Sequence, residues 1–92
     1  MKLKDGFEVN EEQMGLFVAR ATGERAEEFP QPIQMGFSGA YLWDLLTKED
    51  LSRADLIFRL DNLYECEQST EQIESDVDMF VGFLREMKLL EE

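Results

Sequence analysis

Apolar positions change their period along this chain. In "GFEV" (Gly6 to Val9) and "MGLFVARA" (Met14 to Ala21) aromatic and β-branched residues cluster as they do in strands, and the polar "NEEQ" between them predicts a short turn joining two antiparallel strands. "TGERAEEFPQP" then gathers glycine, proline and charge; its two prolines hold Gln31 extended, which predicts a loop and no helix. A third strand is expected from Pro32 to Met35 or Gly36. Pro32 has no amide hydrogen for a ladder, so this strand belongs at a sheet edge.

From there the period becomes helical. Ser38 is a suitable N-cap, and Leu42, Trp43, Leu45 and Leu46 behind it form one broad stripe. A second helix is predicted from about Arg53 to Tyr64, capped by Ser52, with Leu56, Leu60, Leu63 and Tyr64 on one face and Phe58 on the other. A third and longest helix is predicted from about Thr70 to Lys88, where Ser69 and Gln72 form a capping box.

At 100° per residue, Ile73, Val77, Phe80 and Leu84 share a narrow core stripe of that third helix, while Glu71, Glu74, Ser75, Asp78 and Arg85 face water. The remaining flank carries Asp76, Met79, Phe83 and Met87, a mostly apolar strip that a small domain has little means to cover. The expected architecture is α+β and winged-helix-like: a three-stranded antiparallel sheet followed by three helices.

Length makes this one domain over residues 1–92, because so short a chain buries only about 60–65% of its unfolded surface and cannot divide that core. A hydrophobic fraction of 43% offsets the ordering entropy of a chain that is 33% charged. The net charge of -12 repels phosphate backbones and anionic lipid, which argues against nucleic acid and membrane as partners. No apolar run approaches the roughly 20 residues of a membrane span, and "MKLKDGF" lacks a secretory apolar stretch, so a cytoplasmic protein is expected.

Candidate chemistry is sparse. The chain has no histidine and a single cysteine, Cys66, which sits between Glu65 and Glu67 and is expected to be a neutral thiol at a helix end. There is no thiol pair, no phosphate-cradling glycine loop and no calcium-loop pattern, so neither catalysis nor a metal or cofactor is expected. The acidic residues form a solvated surface.

What remains is binding. An uncovered apolar strip beside an edge strand can dock a peptide, since the edge offers unpaired amides and carbonyls and the strip offers side-chain pockets. The join "IQMGFSGA" places Ile33, Gln34, Met35, Gly36 and Phe37 at that edge, next to Asp76, Met79, Phe83 and Met87. Two other classes share this element order. A DNA-binding winged helix would need a basic third helix, whereas this one carries five acidic residues from Glu71 to Glu86. A protein–protein adaptor or homodimer would use Phe58 and Phe37.

"MKLKDGFEV", "SGAYLWDLL", "LDNLY" and "IESDVDMFVGFLREMKLLEE", in this order and over nearly the whole chain, resemble the PqqD-like family. The resemblance implies a small winged-helix-like domain that is not an enzyme. It implies a recognition element that binds the leader of a ribosomally made precursor peptide as an added strand and presents it to a modifying enzyme, often a radical S-adenosylmethionine protein. Binding roles would then fall on Ile33, Gln34 and Met35 of the strand and on Asp76, Met79 and Phe83 of the helix. At the corner "MGFSGA" stands where many members resemble "LNETGA", so Met35 and Gly36 replace a Leu-Asn pair and Phe37 takes an acidic position.

Overall fold

The structure is a computed structural model that describes residues 1–65 and 67–91; Cys66, and with it the expectation of a neutral thiol, lies outside the described residues. The elements run β1 (Lys2–Leu3), β2 (Phe7–Gln13), β3 (Leu16–Ala21), α1 (Arg25–Glu28), β4 (Ile33–Met35), α2 (Phe37–Lys48), α3 (Arg53–Leu63), α4 (Thr70–Glu86) and β5 (Leu90–Glu91). A three-stranded antiparallel sheet in the order β2-β3-β4 precedes the three longer helices, so the protein is α+β as expected.

The hairpin turns later than the sequence suggests. "NEEQ" belongs entirely to β2, where these polar residues are exposed, and the chain reverses at Met14 and Gly15. Gly15 has a φ of +79°, a left-handed conformation that glycine adopts without a Cβ penalty. The register slips between Glu11 and Gln13, as a bulge beside a turn does. The expected loop after β3 contains the four-residue α1, whose Arg25 donates Nη1 to Glu28 at 3.1 Å.

The corner after β4 also differs in detail. The N-cap of α2 is Gly36, with no side-chain cap, and the helix begins at Phe37. Ser38 therefore lies inside the first turn, and its hydroxyl hydrogen-bonds the Tyr64 hydroxyl instead of capping. Ser52 does cap α3 through a full box, accepting from Asp55 N at 3.1 Å while Asp55 Oδ2 accepts from Ser52 N at 3.0 Å. At α4 only half of the expected box forms: Ser69 Oγ accepts from Gln72 N, but the Gln72 amide donates to Asp76 Oδ1 at 2.8 Å.

Two short strands were not predicted. β1 pairs with β5, matching Leu3 with Leu90. The reversal that brings them together is made at the end of α4, where Lys88 adopts a φ of +58° and Leu89 N donates back to Leu84 O at 2.9 Å. This is a Schellman ending with lysine in the position that glycine usually holds, and it seats Leu89 in the core.

That core is one cluster. Leu42, Trp43, Leu45 and Leu46 of α2 meet Leu56 and Leu60 of α3, Ile73, Val77, Val81 and Leu84 of α4, and Ala19 and Ile33 of the sheet. Val81 takes the buried place expected for Phe80, which is only half-buried at the margin of the core. Arg53 clamps α3 to α4 with a two-pronged pair to Asp78, at 2.7 and 3.0 Å. The hydrogen bond from Arg53 holds the Asp78 carboxyl below its ordinary range, and the Ser52 backbone amide does the same for Asp55. No helix among the described residues is long and apolar enough to cross a membrane.

Candidate functional site

Strand β4 has one neighbour, β3, so its other side is open. Which main-chain groups face that side follows from the ladder. Gly6 O accepts from Thr22 N at 2.8 Å, and antiparallel partners exchange hydrogen bonds at every second residue. Carried along the pairs Glu8↔Arg20 and Asn10↔Val18, this directs the even-numbered residues of β3 toward β2. Phe17 and Ala19 are left to bond Met35 and Ile33. Gln34 is therefore the residue of β4 whose N–H and C=O face outward, where a further strand could take them.

The side chains divide in a corresponding way. Ile33 is sealed in the core, Met35 is half-buried against it, and Gln34 is exposed. Beyond the strand, a cleft of about 360 Å³ is lined by Gly36, Phe37, Tyr64, Asp76, Met79 and Phe80. The structure thus joins four of the sequence-predicted residues, Gly36, Phe37, Asp76 and Met79, in one depression. Phe83 and Met87 lie further along α4 and do not line it; Phe83 is exposed, while Met87 is half-buried against the core.

Met79 is 72% exposed and Phe37 54% exposed, large values for apolar side chains that face each other's neighbourhood across one cleft. Phe37 is braced by Phe17, with ring centroids 6.4 Å apart. Asp76 puts a carboxylate in the same cleft, oriented by Gln72. Near it the α2 N-terminus has no side-chain cap, so first-turn amides are available to an acceptor on an incoming chain. The depression can therefore take apolar side chains while satisfying polar main-chain groups at its margin.

Some lining residues were not foreseen as part of a site. Tyr64 looks like a core residue in the helical pattern, and Ser38 like a cap; their hydroxyl pair forms one wall. Gly39 is the legible signal that was missed. A Cβ there would lie 3.3 Å from Met35 Cβ and 3.8 Å from Phe80 Cδ1, so its absence lets β4, α2 and α4 close together under the cleft. Among the described residues, no group of three or more His, Cys, Asp or Glu is placed to hold a metal ion.

Compared with known proteins, the chain matches no family model, no curated protein and no solved structure.

Proposed function

We propose that this protein binds the leader segment of a ribosomally made precursor peptide by strand addition to β4 and presents it to a modifying enzyme, such as a radical S-adenosylmethionine protein. The observation that carries the reading is the coincidence of an open edge at Gln34 with an uncovered apolar strip, Phe37, Met79 and Phe83, on the neighbouring helices. Main-chain bonds at Gln34 supply affinity that is indifferent to sequence; selection comes from leader side chains entering the cleft beside Asp76 and Met79. The PqqD-like resemblance of "SGAYLWDLL" and of the α4 segment implies the same placement, although the corner "MGFSGA" departs from the family pattern.

An amide-shift NMR titration with the leader of a short peptide encoded beside this protein tests the proposal. Shifts confined to Gln34–Phe37 and to the α4 face from Asp76 to Met87 are expected, and a leader that binds without moving them overturns the site. A second reading, an adaptor or homodimer, draws on Phe58, which is 65% exposed on α3 and lines a different cleft from Phe37. It predicts a mass that rises with protein concentration when no peptide is present.

A further inference from the structure

The sheet has a second open edge, and it is the longer one. Among the described residues β2 pairs with β3 alone, over seven residues against three for β4. The same alternation that turns Gln34 outward leaves the main-chain groups of Phe7, Val9 and Glu11 facing away from β3. Their side chains point toward α2, where they overhang a cleft of about 450 Å³. Phe7, Val9, Phe17 and Trp43 make its apolar part, and its ionisable lining residues, Glu11 and Asp44, are both acidic.

We propose that the β2 edge and the Trp43 cleft form a second strand-addition site, for an extended peptide segment in which basic and apolar residues alternate. Charge selects that occupant. β2 carries Glu8, Glu11 and Glu12 and no basic residue, within a chain of net charge -12. Antiparallel pairing of two β2 strands would gather these carboxylates from both copies into one ribbon, which disfavours a second copy. Because alternate residues of a strand share one face, the lysines of a foreign strand can all lie on the cleft side, where their apolar stems cover Phe7 and Val9 and their ammonium groups reach Glu11 and Asp44. Asp44 already holds Lys48 at 3.1 Å, and Glu11 accepts from Gly15 N at 3.2 Å, so both carboxylates are positioned before a ligand arrives.

Trp43 makes the test direct, because it is the chain's one tryptophan and packs edge-on against Phe7 with centroids 5.5 Å apart. The probe is a blocked heptapeptide of alternating lysine and valine; the control replaces lysine with glutamate. The lysine peptide is expected to change Trp43 fluorescence and to shift the amides of Phe7, Val9 and Glu11, with affinity falling as salt rises. Val9→Pro removes an outward N–H without touching the β3 ladder and should abolish the response. The double variant Glu11→Gln and Asp44→Asn keeps the edge intact and should weaken binding at least about fivefold. Met79→Glu, at the β4 cleft, should leave it unchanged, so this site and the leader site fail separately. Equal binding of the glutamate peptide, shifts confined to Gln34 and α4, or a peptide-free dimer that Val9→Pro disperses would each overturn the proposal.

Discussion

Along α4, Ile73, Val77 and Leu84 are fully sealed, whereas Met79 and Phe83, a turn or less away, stand 72% and 41% exposed. Both sets are apolar and both sit on the same well-capped helix, so helix propensity does not separate them. The difference is what covers them: α2, α3 and Leu89 close over the first set, whereas Met79 lines the open cleft with Gly36 and Phe37, and Phe83 stands exposed further along the helix. One side of α4 therefore contributes to folding, and the other is free to contribute to binding. An apolar surface left open carries an aggregation cost, and it is consistent with use by a partner.

That contrast can be broken most severely from the sealed side. Leu84→Ala should cost about 3 kcal/mol through lost contacts and a residual cavity, visible as an earlier urea midpoint with little change in slope. On the open side, Met79→Glu combined with Phe83→Glu should shift stability by no more than about 0.5 kcal/mol. The same pair should weaken the proposed leader binding by at least about tenfold, roughly 1.4 kcal/mol. A large loss of stability from that pair would mean that the strip is core after all.

Gln34→Pro sharpens the comparison at the main chain. Its N–H faces the open edge, so the variant should fold and keep its β3 pairing while the proposed leader binding weakens severalfold in calorimetry. The smallest effect belongs to the polar side of α4 and to the α3 cap. Asp78 and Asp55 have carboxyls held below their ordinary range by Arg53 and Ser52. Their contribution to stability is fully present above the unfolded carboxylate value of about 4. It is lost as pH falls through the lowered native values. Thermal melts of wild type and Asp78→Asn should differ above about pH 4 and converge in stronger acid.

Much of this was legible in the residues. Ser52 and Ser69 mark the starts of α3 and α4 because a side-chain oxygen on an orphan amide is a local interaction between near neighbours in the chain. The Met79–Phe83 strip was legible from angular spacing alone. The exchange of Phe80 for Val81 was not, since two neighbours 100° apart compete for one edge of the core and the shape of α2 and α3 decides between them. The hairpin turn was missed because the second half of β2, Asn10 to Gln13, is exposed on both faces and has no alternation to detect, although Gly15 marked the place where a positive φ was required.

By itself the sequence determined where α3 and α4 begin, which helix faces are apolar, and that a net charge of -12 must be carried on the outside. These depend on local geometry and on solvation, which each residue carries with it. The tertiary structure alone decided that β1 meets β5, that Gly39 lets Met35 and Phe80 approach, and that Gln34 on one edge and Phe7, Val9 and Glu11 on the other face outward. Those outcomes depend on register between strands far apart in sequence, and a slip of one residue would turn every side chain and every main-chain bond the other way.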